Sequence, residues 1–132
     1  MESARGRILV VDDDPPLLRL MTIYLSRLGY QVDSCTTTEA AKSLFDSHPG
    51  VYSLALLDST MPGMGGDGLA RRILQTSPSM RLIVASGYPS ELAAIGKLPG
   101  DRVRYLQKPF TPTQLLKLVE EYLQPGLSLP RS

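Results

Sequence analysis

Five predicted strands alternate with five predicted helices along the chain, and few architectures can house that alternation. A strand buried on both faces reads as a continuous aliphatic stretch, whereas one with a wet face alternates apolar and polar residues. Arg7 to Asp12 is of the first kind, because Ile8-Leu9-Val10-Val11 stops abruptly at Asp12-Asp13-Asp14 and Pro15-Pro16. Gln31 to Cys35, Tyr52 to Leu57, Met80 to Ala85 and Val103 to Gln107 are the other predicted strands. After the first comes a helix carrying Leu17, Leu18, Met21, Tyr24, Leu25 and Leu28, with Gly29 where a left-handed terminating residue belongs. Thr36-Thr37-Thr38-Glu39 offers a Thr-x-x-Glu capping box before Ala40, Ala41, Leu44 and Phe45. Ser59 to Gly65 reads as a loop, and Leu69, Ala70, Ile73 and Leu74 as a helix running to about Thr76. Glu91 to Lys97 is a short, poorly patterned helical stretch. Thr111-Pro112-Thr113-Gln114 combines a capping box with proline at the first helical position, ahead of Leu115, Leu116, Val119 and Leu123.

Strands alternating with helices favour a parallel sheet covered on both faces, an α/β doubly wound (βα)5 three-layer sandwich of the flavodoxin-like kind. Its 132 residues, 42% of them hydrophobic, suffice for one core and not for two ordinary domains. The expected division is an N-terminal tail over 1–6, one domain over 7–123 and a C-terminal tail over 124–132. In such sheets ligands bind beyond the carboxyl ends of the strands, where the strand order reverses. With the order 2-1-3-4-5 that place lies between strands one and three, which end in Asp12-Asp13 and Asp58.

Two carboxylates about 4 Å apart repel by roughly 4 kcal/mol at an effective dielectric near 20, so gathered acids call for a cation. Mg²⁺ typically takes one or two carboxylates, waters and a phosphate oxygen, a composition that suits this crevice. Alternatively, Asp12, Asp13 and Asp14 only start a helix, a favourable place for negative charge; Asp14 fits that role best. Lys108 ends strand five on the same edge of the sheet, and Pro109 biases it away from helical geometry. Ser86, at the end of strand four, adds a hydroxyl that can donate to a phosphoryl oxygen. Acids, hydroxyl and lysine together match phosphoryl transfer, which depends on positioning and charge neutralisation. Asp58 is the candidate nucleophile, and Asp12 and Asp13 the candidate metal ligands.

Val10-Val11-Asp12-Asp13-Asp14-Pro15, Leu56-Leu57-Asp58-Ser59-Thr60-Met61-Pro62-Gly63-Met64 and Tyr105-Leu106-Gln107-Lys108-Pro109-Phe110 resemble the three motifs of the receiver domain of two-component response regulators. The likeness runs from about Arg7 to Leu123. It implies that Asp58 accepts a phosphoryl group from the histidine of a sensor histidine kinase or histidine phosphotransfer domain, with Asp12, Asp13, Asp58 and the Thr60 carbonyl around Mg²⁺. Ser86 and Lys108 would hold the phosphoryl oxygens. Ser86 would move toward the phosphate while Tyr105 turns inward, changing a face that an unidentified downstream protein or a second, phosphorylated copy reads. The domain would be a phosphoacceptor that assists its own phosphorylation and dephosphorylation, rather than an enzyme. Three departures stand out: Gly65 where the family often has Asp, Ser86 for the commoner Thr, and no Ala-Gly-Ala run between Lys97 and Arg102. The motifs around Ser86 and Lys108 are similar to receivers carried by hybrid sensor kinases.

Competing readings are a phosphorylation-independent docking module and an aspartyl phosphatase. The first would have lost acids or the lysine, and the second would normally carry an acid where Thr60 stands. Lys and Arg number 14 against 13 Asp and Glu, so no net field draws the chain to nucleic acid or anionic lipid. No apolar run approaches the roughly 20 residues that span a bilayer. Met1 to Gly6 lacks a secretory apolar segment and Cys35 is the single cysteine, which together fit the cytoplasm. His48 reads as a helix-end residue, Cys35 as core, and Arg71-Arg72 as a solvated helix face. Beyond Leu123 too few residues remain for an output domain, so output is expected through protein contacts or a parent chain.

Overall fold

The structure is a computed structural model that describes residues 6–48, 50–58, 65–77, 79–87 and 102–123. Its elements are β1 (Arg7–Val11), α1 (Pro15–Arg27), β2 (Gln31–Cys35), α2 (Thr38–Ser47), β3 (Tyr52–Asp58), α3 (Gly65–Thr76), β4 (Arg81–Ser86), β5 (Val103–Gln107) and α4 (Pro112–Leu123). The five strands form one parallel sheet in the order β2-β1-β3-β4-β5. The helical stretch expected over Glu91 to Lys97 lies outside the described residues, so α4 is the last helix of the sequence reading. Among the described residues no helix is long and apolar enough to cross a membrane.

Successive strand residues point to opposite faces, and both faces are covered, which is why β1 and β3 are aliphatic without alternation. Leu9, Val11, Ala55, Leu57, Leu82 and Val84 pack on one face with Ala41 and Phe45 of α2 and Leu69, Ala70 and Ile73 of α3. On the other, Ile8, Val10, Leu54, Leu56 and Ile83 meet Leu18, Met21 and Leu25 of α1 and Leu115, Val119 and Tyr122 of α4. Each such large aliphatic contributes about 1.5–3 kcal/mol by leaving water, so these two layers dominate the fold's stability. β5 is an edge strand, and of its residues only Val103 is buried.

Local signals set most element ends. Asp14 caps α1 by accepting from the Leu17 amide at 3.2 Å, and Gly29, at φ +100°, takes the left-handed position after its last turn. α4 opens with a reciprocal capping box: the Thr111 amide donates to Gln114 Oε1 at 2.8 Å and the Gln114 amide to Thr111 Oγ1 at 3.1 Å. At α2 the cap is displaced by one residue from the expected box, since Thr37 Oγ1, not that of Thr36, accepts from the Ala40 amide at 3.1 Å. The run of three threonines allows either frame, and packing of Ala41 and Phe45 selects the one in use.

Other differences come from tertiary contact. α3 begins at Gly65, where a loop residue was expected, and β4 runs on to Ser86. Arg72 is not merely solvated: its guanidinium pairs with Asp46 of α2 at 3.0 Å, joining the two helices on that face. Arg102, just before β5, donates to the carbonyls of Leu74 and Ser77 at the end of α3 and of Met80 just before β4, satisfying groups that the helix leaves over and tying its end to the next strand. His48 stands at the C-cap of α2 with Nδ1 at 3.0 Å from the Leu44 carbonyl, and Cys35 is buried at the end of β2; both match their expected roles.

Candidate functional site

The carboxyl ends of β1, β3, β4 and β5 carry Asp12-Asp13, Asp58, Ser86 and Lys108 to one edge of the sheet. A strand that ends in a polar residue need not bury it, yet Asp12, Asp58 and Ser86 are 2%, 3% and 0% exposed. Burial of this degree is costly for a carboxylate without a partner. The chain supplies one by folding Lys108 back over the edge. Its Nζ lies 2.9 Å from Asp12 Oδ2 and 3.3 Å from Asp58 Oδ2, bridging residues that the chain separates widely.

The backbone sets this geometry. The Asp12 amide donates to the Cys35 carbonyl at 3.1 Å, extending the β1–β2 ladder by one residue and holding Asp12 at the edge. Asp12 Oδ1 then accepts from the Asp14 amide at 3.0 Å, which turns the chain into α1 and leaves Oδ2 for Lys108. On the far side, the Lys108 amide donates to the Ser86 carbonyl at 2.8 Å, continuing the β4–β5 pairing past Gln107. The Lys108-Pro109 peptide bond is cis.

Asp12, Asp13 and Asp58 each offer a carboxylate oxygen, and the three lie within 4.8 Å of one another, Asp13 exposed and the other two buried. Among the described residues a single ammonium, that of Lys108, faces them, so there negative charge is in excess. Burial, the largest influence on Asp12, pushes its carboxyl above the ordinary value; the bonds from Lys108 and the Asp14 amide oppose that shift and the Asp58 charge adds to it. Lys108 moves up as well: burial would lower it, but the hydrogen bond and charge of Asp12, followed by those of Asp58, outweigh burial. These opposed tendencies are what crowded acids sharing one base produce. The donor set is all oxygen, anionic and open on the Asp13 side, and it fits a hard dication such as Mg²⁺.

Each sequence-derived candidate within the described residues stands at this edge except Tyr105, which lies on β5 opposite Val84 of β4 and is 38% exposed. Thr60 lies outside the described residues. The bond from Lys108 to Asp12 was not anticipated, and no spacing in the sequence signals it. It depends on β5 and β1 lying in one sheet with β3 and β4 between them.

The family model for the response regulator receiver domain matches residues 8–120. The regulatory protein VanRB of Enterococcus faecalis is 32% identical over 120 residues, covering 89% of this chain and 52% of that protein. The transcriptional regulatory protein GltR of Pseudomonas aeruginosa is 35% identical over 126 residues, covering 92% of this chain and 51% of that one. The chain therefore spans about half the length of either relative. Among solved structures, a CheY-like response regulator receiver domain protein from Methanospirillum hungatei superposes with a TM-score of 0.82 at 30% identity, covering 92% of this chain and 96% of that one. The BeF3-activated receiver domain of DrrB, a Thermotoga maritima response regulator, superposes at 0.76 with 30% identity, covering 94% and 99%. A match over residues 8–120, on a sheet of this strand order with its acids at the switch point, shows that the chain belongs to the response regulator receiver domains, signalling domains of two-component systems.

Proposed function

We propose that this domain, over residues 7–123, is a phosphoacceptor: Asp58 takes a phosphoryl group from a phosphohistidine on a sensor histidine kinase or histidine phosphotransfer domain, with Mg²⁺, and the change is read on a protein-interaction face. The observation that carries the reading is the bridging of Asp12 and Asp58 by Lys108 beside a third carboxylate. A degenerate docking module has no need to keep two buried acids on one lysine beside a third acid, at a cost in buried charge.

In the transfer, an Asp58 oxygen attacks phosphorus while the bond from phosphorus to the partner's ring nitrogen breaks and its electron pair returns to the ring. Asp12, Asp13, Asp58 and the Thr60 carbonyl would hold the metal, which when bound neutralises charge on the phosphoryl oxygens. Lys108 already reaches Asp58, so it meets one phosphoryl oxygen by a short shift of its flexible stem. Ser86, buried at the end of β4, supplies a hydroxyl to another. A phosphoryl group brings extra negative charge and strong acceptors, which gives Ser86 and Lys108 reason to move toward it. Tyr105, half exposed on the neighbouring strand, then turns inward, and the β5 face offers itself to a downstream protein or to a second phosphorylated copy. A cytoplasmic setting accords with this partner set, and nothing in the site calls for nucleic acid or a membrane. The domain serves either alone or as part of a larger response regulator or hybrid kinase.

Incubation with acetyl phosphate and Mg²⁺ should add one phosphoryl group in intact-mass spectra, and the label should be absent from Asp58→Asn. Equal labelling of Asp58→Asn would reassign the acceptor.

A further inference from the structure

Beside the charged edge lies a cavity of about 400 Å³ lined by Asp14, Leu17, Gly87, Lys108, Pro109 and Phe110. Lys108 belongs to both places, with its ammonium 3.3 Å from Asp58 and the residue itself among those that line the cavity. The cavity thus adjoins the lysine that reaches Asp58. Among the described lining residues most are apolar and Asp14 carries the one carboxylate. One Asp14 oxygen accepts from the Leu17 amide at 3.2 Å as the helix cap, and among the described residues Oδ2 has no partner.

We infer that Asp14 selects the phosphodonor by accepting a hydrogen bond from the far ring N–H of a phosphoimidazole; the inference rests on the phosphoacceptor reading above. An N-phosphorylated imidazole protonated on its other nitrogen has a positive ring and a negative phosphoryl group. The cavity offers a carboxylate to the first and an ammonium to the second, with Leu17, Pro109 and Phe110 to pack on the ring's faces. As the oxygen–phosphorus bond to Asp58 forms, the phosphorus–nitrogen bond breaks. The electron pair goes to that nitrogen, and the proton held toward Asp14 stays on the ring, so neutral imidazole departs. Acetyl phosphate has no positive end and gains nothing from Asp14.

The test compares rates of Asp58 labelling by N-phosphoimidazole and by acetyl phosphate, both with Mg²⁺, in wild type, Asp14→Asn and Asp14→Ser. Both replacements retain a good helix cap, so the fold is kept. The ratio of the phosphoimidazole rate to the acetyl phosphate rate should fall about three- to tenfold in both variants, as expected for a charge-assisted bond at a partly wet site. A merely structural role would slow both donors alike and leave the ratio unchanged, and that result overturns the inference. Wild type unlabelled by either donor overturns the phosphoacceptor reading and the inference with it, whereas efficient acetyl phosphate labelling with an unchanged ratio overturns the inference alone.

Discussion

Replacing Lys108 with methionine keeps an unbranched apolar stem, one atom shorter, and removes the ammonium with its charge and hydrogen bonds. In the metal-free protein the ammonium lies 2.9 Å from Asp12 and 3.3 Å from Asp58, so each pair is worth roughly 5–6 kcal/mol in direct attraction at an effective dielectric near 20. Taking three charged groups out of water cancels much of that gain. Breaking a buried pair typically costs about 3–5 kcal/mol. The lysine side chain retains 22% exposure, so the net loss should fall below that range, at about 2–3 kcal/mol. For a domain of this size that is roughly 8–12 °C in melting temperature, at about 4 °C per kcal/mol. Thermal unfolding followed by circular dichroism, in chelator and again in Mg²⁺, separates the electrostatic cause from simple loss of packing. Stranded carboxylates give a bound dication more to relieve, so Mg²⁺ should raise the melting temperature of Lys108→Met more than that of wild type and close at least about half of the gap. A variant melting within about 2 °C of wild type in chelator would refute the reasoning, as would a deficit equal with and without Mg²⁺.

Three further outcomes follow from the same structure. The proton on Lys108 is held more tightly in the folded chain than in the unfolded one, so its stabilisation is complete below the unfolded value of 10.5 and is lost as pH rises through the higher folded value. Asp12 is also raised, chiefly by burial, so its ionisation costs stability progressively as pH rises from 3.8 through its folded value. Urea midpoints in chelator should therefore fall more steeply above pH 10.5 in wild type than in Lys108→Met, where the raised Tyr52 and Tyr122 hydroxyls still give a common decline, and Asp12→Asn should gain on wild type as pH rises above 3.8. For the helix caps, Thr37→Ala should cost about 1 kcal/mol in urea denaturation while Thr36→Ala stays within about 0.5 kcal/mol, because Thr37 carries the bond to the Ala40 amide.

The readable parts of the sequence were those written in neighbouring residues. β1, β3 and β4 were located to within one residue at each end, because both-face burial demands an aliphatic run that polar residues then end, while β2 and β5, short and largely polar at the sheet's edges, were located to the residue by the turn and helix signals on either side. The Thr111–Gln114 box was legible because all its partners lie within four residues. The cap of α2 was less so, since three consecutive threonines satisfy the same local rule in different frames. The ion pair of Arg72 with Asp46 and the grip of Arg102 on the end of α3 could not be read, because each joins residues more than twenty positions apart.

The same division holds at the site. Sequence alone specified which residues end the strands: acids after β1 and β3, a serine at the end of β4 and a lysine after β5. Alternation of strand and helix then required those ends to share one edge of a parallel sheet. What the amino-acid order left open was which charges touch. Lys108 could have pointed to solvent or reached Asp58 alone, and its bond to Asp12 exists because the sheet places β1 and β5 on either side of β3 and β4 while burial excludes water from Asp12 and Asp58. Coulomb interaction in a buried site depends on distance and dielectric, and both are properties of the packed molecule.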